Sequence, residues 1–169
     1  EKDIVFWYNI FQTKVINLKR ILFIGFVVML LDQIIKIIVT SLLDFGQSIT
    51  VIHNFFSISL LINTGGAFSI FQQHTLILIV VSLIIIYILY KCFVKGKDIS
   101  KRDTVIYGIL LGGICGNLFD RIFRGYVIDY LDFNIFSYNY PVFNFADICI
   151  VLSVFLIVIL MYKGDKNDI

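Results

Sequence analysis

Hydrophobic residues run through this sequence in four long blocks that are separated by more polar stretches. The blocks cover residues 21–40, 76–94, 105–119 and 146–162. At about 1.5 Å rise per helical residue, each block has or approaches the length of a membrane span. The third block is short unless it extends through Asp120. The pattern predicts a mainly α-helical membrane protein with four transmembrane helices, formed as one integral membrane domain over residues 1–169.

A different pattern lies between the first two blocks. Apolar residues in 49–51 and 56–62 alternate with polar or smaller ones such as Ser57 and Ser59, and a period of two is typical of strands. We predict a small external β-sheet of two short strands, with His53 and Asn54 in the turn. The stretch 121–142 is rich in Tyr, Phe and Asn and is predicted to be an external flap or short helix. Residues 1–20 mix aromatic with basic residues, which predicts an N-terminal segment at the membrane interface.

Composition and charge support a membrane protein and orient it. Hydrophobic residues make up 59% of the chain, charged residues 15%, and the mean hydropathy is +0.93, a balance that a soluble domain does not show. The net charge of +2 comes with no basic run, so we expect membrane lipids and no nucleic acid as partners. Eleven of the 14 Lys and Arg residues precede the first block, surround the second connection or follow the fourth block. The positive-inside rule then predicts that both termini are cytoplasmic.

Two charged residues inside the first block need partners in a membrane. Asp32 and Lys36 are four residues apart and therefore share one helix face, where we expect them to pair. A purely structural pair and a direct substrate role both remain open.

In the third block Gly108, Gly112 and Gly116 recur every four residues, which predicts close packing against another helix.

Carboxylates are concentrated after the third block. Asp120, Asp129, Asp132 and Asp147 lie here, and two acids that share a proton can activate water and protonate a departing amine. Four aspartates allow six pairs, among which the residues alone do not choose. Asp120 beside Arg121 predicts a structural ion pair.

The sequence gives little support for a metal site, a reactive cysteine or a serine nucleophile. The three cysteines lie in apolar stretches without metal-binding spacing, the serines lack a nearby base, and His53 and His74 stand alone. We therefore expect no metal and no cofactor. A stretch of small residues, Asn63-Thr64-Gly65-Gly66-Ala67-Phe68, permits positive φ and is suited to presenting main-chain amides to a bound peptide.

Five sequence blocks together resemble the lipoprotein signal peptidases, or signal peptidase II, the aspartic-type proteases of bacterial inner membranes. The blocks occur in the family's order between about residue 21 and the end of the fourth span. They are Asp32-x-x-x-Lys36, Asn63-x-Gly65-x-Ala67-Phe68, Gly112-Gly113-x-x-Gly116-Asn117-x-x-Asp120-Arg121, Val127-x-Asp129 and Phe143-Asn144-x-Ala146-Asp147. Two mild departures are Ile114, where the family usually has Ala, and Tyr130, where it usually has Phe. Tyr130 is expected to add a hydrogen bond near Asp129.

The resemblance implies a multi-pass enzyme of the bacterial inner membrane, with its active site near the outer face. Its substrate would be a prolipoprotein, cleaved just before a diacylglyceryl-modified cysteine, and we expect a monomer. By motif, Asp129 and Asp147 would be the catalytic pair. Residues that would line or support the site are Asp32, Lys36, Asn63, Gly65, Ala67, Phe68, Asn117, Asp120, Arg121 and Asn144.

Two other classes of function remain as alternatives. Intramembrane carboxylates also form proton relays, so a small proton-coupled transporter is one. The absence of visible inverted repeats, and the concentration of the acids at one end, argue against it. The other is a noncatalytic scaffold that binds lipoproteins through the sheet and the flap.

Overall fold

The structure is a computed structural model that describes residues 2–66, 72–95, 99–136 and 138–164. Within these ranges the side chains of residues 2–16, 93 and 163–164 are not described. Ala67 and Phe68, both predicted to belong to the site, lie outside the described residues.

Four α-helices form the described part of the bundle: α1 (Lys2–Leu42), α2 (Thr75–Leu89), α3 (Lys101–Phe123) and α4 (Phe145–Gly164), with a π-helical turn (Tyr90–Val94) after α2. Segments long and apolar enough to span a membrane are Asn17–Leu42, Thr75–Cys92, Lys101–Phe123 and Phe145–Tyr162. The predicted number of spans is thereby confirmed for the described chain. Residues 2–20 continue α1 without a break and are not a separate element.

The third helix is longer than its apolar block because polar residues extend it at both ends. Ser100 caps its N-terminus, where the Ser100 side chain accepts a hydrogen bond from the N–H of Asp103 at 3.0 Å. At the other end the helix continues through Asp120 to Phe123. The predicted segment 105–119 is therefore extended by four residues on each side, which gives α3 enough length to cross a bilayer.

An antiparallel sheet in the order β1-β2-β3-β4 covers one end of the bundle. Its strands are β1 (Ser48–Ile52), β2 (Phe56–Asn63), β3 (Val127–Ile135) and β4 (Tyr138–Asn139). The predicted turn is confirmed, since Asn54 lies between β1 and β2 with φ of 56°. The stretch predicted as a flap or short helix is instead mainly β3 and β4. Pairing with β2 satisfies the backbone N–H and C=O groups that an irregular flap would leave without partners.

Glycines bring α1 and α3 into close contact, as the sequence pattern predicts. A Cβ atom on Gly112 would lie 2.5 Å from Cβ of Val28 and 2.6 Å from the carbonyl oxygen of Gly25. A Cβ atom on Gly116 would lie 2.6 Å from Oδ2 of Asp32. The glycine strip thus lets the backbone of α3 approach the helix that carries Asp32.

This packing gives a direct prediction for Gly112→Ala. The added methyl group must push α1 and α3 apart, so we expect the free energy of unfolding to fall by roughly 1–3 kcal/mol, measured as a lower thermal midpoint in detergent. Val151→Leu is the control, because Val151 is 65% exposed on α4 and tolerates an added methylene. A Gly112→Ala protein that unfolds at or above the wild-type midpoint contradicts the close contact.

The sheet is anchored on the C-terminal end of α1. Val39 of α1 and Leu43, which directly follows α1, form a buried cluster with Leu60 of β2 and with Ile128 and Tyr130 of β3. Consecutive spans cross a membrane in opposite directions, so the C-terminal ends of α1 and α3 and the N-terminal ends of α2 and α4 meet the sheet. This one end of the bundle receives Asp129 from β3 and Asp147 from α4.

Candidate active site

Asp129 lies near the start of β3, where the neighbouring strand delivers a hydrogen-bond donor to it. Leu61 of β2 pairs with Asp129 in the strand register, and Asn63 lies two residues further along β2. Its side-chain Nδ2 donates to Oδ2 of Asp129 at 2.8 Å. The Asp129 side chain is buried beneath the sheet, with 3% of the residue exposed.

Asp147 lies in the first turn of α4, in a reciprocal cap with Asn144. The backbone N–H of Asn144 donates to Oδ2 of Asp147 at 3.1 Å, and the N–H of Asp147 donates to Oδ1 of Asn144 at 3.0 Å. This is the capping-box arrangement, which satisfies backbone donors at a helix start. The Asp147 carboxylate is therefore fixed at the positive end of the α4 dipole.

Asn144 also reaches the other carboxylate. Its side-chain Nδ2 donates to Oδ1 of Asp129 at 2.7 Å, while its backbone N–H holds Asp147 as described. One residue thus hydrogen-bonds to both aspartates, and Asn144 is fully buried. The structure therefore brings Asp129 and Asp147 together at a shared partner.

Asn117 of α3 connects this pair to a buried cation. Its Nδ2 donates to Oδ1 of Asp147 at 2.7 Å, and its Oδ1 accepts from Nζ of Lys36 at 3.2 Å and from Nδ2 of Asn144 at 3.1 Å. Because an ammonium group only donates, Lys36 requires the oxygen of the Asn117 amide on its own side. The amide nitrogen is thereby directed at Asp147.

Lys36 forms ion pairs with two carboxylates. Its Nζ lies 2.8 Å from Oδ2 of Asp32 and 2.7 Å from Oδ2 of Asp120, and all three side chains are fully buried. The predicted pairing of Asp32 with Lys36 is confirmed. Asp120 is also ion-paired, but its partners are Lys36 and Arg124 and not the adjacent Arg121. Neighbouring helix residues point in different directions, whereas residues four apart share a face.

The two carboxylates held by Lys36 each bind the backbone next to a candidate catalytic residue. Oδ1 of Asp32 accepts the N–H of Ala146 at 3.1 Å, one residue before Asp147. Oδ2 of Asp120 accepts the N–H of Ile128 at 3.3 Å, one residue before Asp129. A single ammonium group therefore links the backbone positions of both aspartates.

Two members of this network were missed by the sequence reasoning. Gln33 donates through Nε2 to Oδ2 of Asp32 and to Oδ1 of Asp120, each at 3.1 Å, and accepts through Oε1 from Arg124 at 2.7 Å. Arg124 also forms an ion pair with Asp120. The four-residue spacing from Asp120 to Arg124 is a signal that would have found the arginine. Nothing in the sequence marks Gln33.

Arg121 and Gly65 form a further contact at the edge of the site. One guanidinium nitrogen of Arg121 donates to the carbonyl oxygen of Gly65 at 3.1 Å, and the N–H of Gly65 donates to Oδ1 of Asn63 at 2.9 Å. Arg121 of α3 therefore holds the small-residue stretch after β2 at Gly65.

Asp132 and Tyr130 have partners away from the pair. Oδ2 of Asp132 accepts from the Ser59 hydroxyl at 2.7 Å. The Tyr130 hydroxyl oxygen accepts from the N–H of Phe145 at 3.1 Å, so the expected hydrogen bond near Asp129 is replaced by a contact at the start of α4. Burial raises the pKa of Tyr130 above its ordinary value, which keeps the phenol neutral.

Burial also dominates the electrostatics of Asp129. It raises the pKa of the Asp129 carboxyl from 3.8 to about 6, and the nearby negative charge of Asp147 adds to the increase, while hydrogen bonds from Asn63 and Asn144 oppose it. Among the described side chains no Lys or Arg forms an ion pair with Asp129 or Asp147. The pair can therefore hold one proton at mildly acidic pH, below about 6.

The donor set of this region does not favour a metal. No group of three or more His, Cys, Asp or Glu side chains within the described ranges is arranged to hold a metal ion. Every buried side-chain nitrogen and oxygen there has a hydrogen-bond partner. What the arrangement offers is two buried acids with amide donors around them, a set suited to general acid–base chemistry on a water molecule.

The chain is similar to known proteins over most of its length. A family model described as signal peptidase (SPase) II matches residues 24–163. Lipoprotein signal peptidases from Halothermothrix orenii and Staphylococcus aureus are 36% and 34% identical over 140 residues, which cover 83% of this chain and 93% and 86% of those proteins.

Solved structures show the same fold. Two bacterial membrane enzyme structures, determined by the in meso method at 2.3 Å and 1.9 Å, superpose with TM-scores of 0.79 and 0.75, each at 32% identity. The alignments cover 87% and 85% of this chain and 90% and 92% of those chains.

Proposed function

The chain belongs to the signal peptidase II family, and from this premise we propose that Asp129 and Asp147 are the catalytic pair of an aspartic endopeptidase. The protein is a multi-pass bacterial membrane peptidase that removes signal peptides from prolipoproteins. The proposal concerns the catalytic type, the residues, and a scissile bond just before a diacylglyceryl-modified cysteine.

The observation that carries the proposal is the bonding of Asn144 to both carboxylates. Of the four aspartates in this region, Asp120 is neutralised by two cations and Asp132 is bonded to Ser59. Asp129 and Asp147 are the two that both accept hydrogen bonds from Asn144, Asp129 from its side chain and Asp147 from its backbone N–H. Like charges in one buried site do not both ionise easily, so a pair of this kind retains one proton.

We propose different resting states for the two acids. Each acid accepts two N–H groups, but Asp147 also lies at a helix N-terminus, which stabilises a negative charge. Asp129 has a pKa of about 6 and is the member that carries the proton. Asp147 then removes a proton from the attacking water, while Asp129 donates to the carbonyl oxygen of the scissile bond. As the tetrahedral intermediate breaks down, the proton gained by Asp147 goes to the departing amine, and Asp129 takes back a proton from a hydroxyl group of the intermediate.

Lys36, Asp32 and Asp120 act as positioning residues for this pair. They hold the N–H groups of Ala146 and Ile128 and set the orientation of the Asn117 amide. Asn63, Asn117 and Asn144 orient the carboxylates. Arg121 braces Gly65 at the edge of the site, two residues before Ala67 in the sequence.

A pH profile follows from the raised pKa of Asp129. The carboxyl is protonated below about pH 6 and ionised above it, so kcat/KM, which reports the free enzyme, is expected to fall as pH rises past about 6. In the enzyme–substrate complex the bound peptide excludes water from Asp129, which raises its pKa further. The fall in kcat is therefore expected at a higher pH than the fall in kcat/KM. Asn63→Ala removes a hydrogen-bond donor that favours the ionised form of Asp129. We therefore expect it to shift the fall in kcat/KM to higher pH. A kcat/KM that is constant between pH 5.5 and 8 contradicts this assignment.

The membrane placement forms part of the proposal. Both termini lie on the cytoplasmic side and the acids near the outer face, because 11 of the 14 basic residues belong to the opposite end of the bundle or to its termini. Membrane lipid surrounds the apolar surfaces of the helices, and the protein acts as a monomer. The acyl chains of the substrate stay in the bilayer while the peptide extends along the sheet.

The experiment that tests the catalytic type is cleavage of a synthetic diacylglyceryl-cysteine peptide by the purified protein. We expect one cut before the lipidated residue, a much slower reaction without the lipid, and no hydroxamate when hydroxylamine is added, since water attacks directly. A trapped acyl-enzyme would overturn the aspartic mechanism without affecting the peptidase assignment. The comparisons favour neither the transporter nor the scaffold alternative.

A further inference from the structure

A cavity of about 600 Å³ lies between α1 and α3, at the end of the bundle remote from the two acids. Its lining residues are Lys19, Arg20, Phe23, Ile24, Lys101, Thr104 and Val105. The twelve residues from Arg20 to Asp32 correspond to about 18 Å of helix. The cavity is therefore separate from the catalytic site, although its volume is in the range of small-molecule sites.

The described part of the lining carries positive charge. Its described residues include Lys19, Arg20 and Lys101, with no Asp or Glu among them. None of these three cations forms an ion pair with a described side chain. The nearby carboxylate of Asp103 is engaged by Arg102 at 3.2 Å. The cavity therefore presents a positive field to an anion.

Charge and apolar surface are arranged in two layers. Lys19 and Arg20 lie one helical turn before Phe23 and Ile24 on α1, and Lys101 lies one turn before Val105 on α3. One turn advances about 5.4 Å along the axis. The basic layer is thus at the ends of two apolar spans, and the apolar layer is deeper. An amphiphile with an anionic head and a hydrocarbon chain matches both layers.

The wall of the cavity is held by the fold. Asn17 is buried, with 7% exposed, and its Nδ2 donates to the carbonyl oxygen of Ile99 at 3.1 Å. This bond ties the segment before α3 to α1, beside Lys101. Ser100 then caps α3. The separation of the three cations is therefore set by a fixed backbone and not by loose loops.

From this arrangement we propose that the cavity binds the headgroup of an anionic phospholipid. Lys19, Arg20 and Lys101 contact the phosphate, and one acyl chain lies against Phe23 and Val105. Basic pockets between helices at a membrane surface are suited to such headgroups. The proposal is independent of the peptidase mechanism, since none of these residues contacts the catalytic network.

The test is retention of phosphatidylglycerol by the purified full chain, counted by native mass spectrometry after exposure to mixed phosphatidylglycerol and phosphatidylcholine micelles. The variant is Lys19→Gln/Arg20→Gln/Lys101→Gln. Its control is Lys91→Gln/Lys95→Gln, which removes positive charge from exposed positions outside the lining and leaves the ion pair of Arg102 with Asp103 in place. We expect the first variant to lose phosphatidylglycerol preference by roughly tenfold or more, and the control by less than twofold. Equal losses, or no loss in the first variant, overturn the proposal.

Two further arms separate a lipid from a free anion. Val105→Trp keeps all three cations but fills the apolar layer, and is expected to reduce phosphatidylglycerol retention; unchanged retention overturns the acyl-chain contact. Inorganic phosphate at millimolar concentration is expected to leave the bound lipid in place, whereas complete displacement would reveal an anion site only. Cleavage of the lipidated peptide in detergent reports whether each variant is folded.

Discussion

Asp129→Asn and Asp147→Asn are each expected to reduce cleavage of a diacylglyceryl-cysteine peptide by roughly 10²- to 10⁴-fold, the range that general acid–base catalysis contributes. Asp147→Asn removes the group that takes a proton from water. Asp129→Asn removes the raised-pKa acid that protonates the carbonyl oxygen, and an amide there does not replace it. The measurement is kcat from initial rates, with the product identified by mass.

The control for this prediction is Asp132→Asn on the same strand as Asp129. Asp132 is only partly buried and is bonded to Ser59, so its substitution is expected to leave kcat within about threefold. Thermal midpoints of all three variants separate loss of chemistry from loss of folding. Full activity of either Asp129→Asn or Asp147→Asn would exclude that residue from the pair, whereas a large effect of Asp132→Asn would reopen the choice among the four aspartates.

The fold was largely predictable from the sequence, for identifiable reasons. Four apolar blocks, the glycine repeat at Gly108, Gly112 and Gly116, and the alternation in 56–62 are local patterns with one physical meaning each. The strand β3 was missed because its pairing partner is β2, more than sixty residues earlier in the chain. A stretch rich in Tyr, Phe and Asn has no local feature that distinguishes a strand from a flap when the edge that recruits it is distant.

The site was predictable in location and less so in its connections. Spacing gave the Asp32 and Lys36 pair, since residues four apart share a helix face. Spacing left six possible pairs among the four aspartates, because it does not reveal which of them are buried or which share hydrogen-bond partners. The central role of Asn144 arises only where α4 begins beside β3. Likewise the assignment of Asp120 to Lys36 and Arg124 depends on contact between α1 and α3, which adjacency to Arg121 does not predict.

Lys36→Met is the second substitution with a large expected effect. It leaves the buried carboxylates of Asp32 and Asp120 without their shared cation, and breaking a buried pair in this way costs roughly 3–5 kcal/mol. We therefore expect the thermal midpoint to fall by about 10 °C or more. Catalysis is expected to fall as well, since the oxygen of Asn117 loses one of its two donors.

A compensated variant separates these two consequences. Lys36→Met/Asp32→Asn removes one buried charge together with its partner, and Arg124 remains paired with Asp120, so much of the lost stability is expected to return. Activity is not expected to return with it, because the Asn117 amide is then oriented by Asn144 alone and Ala146 loses a charged acceptor. Lys91→Met, at an exposed position, is the control for removal of a lysine. If the compensated variant regains wild-type kcat along with its stability, Lys36 serves only to fold the bundle; if it regains stability alone, the ammonium group sets the geometry of Asp129 and Asp147.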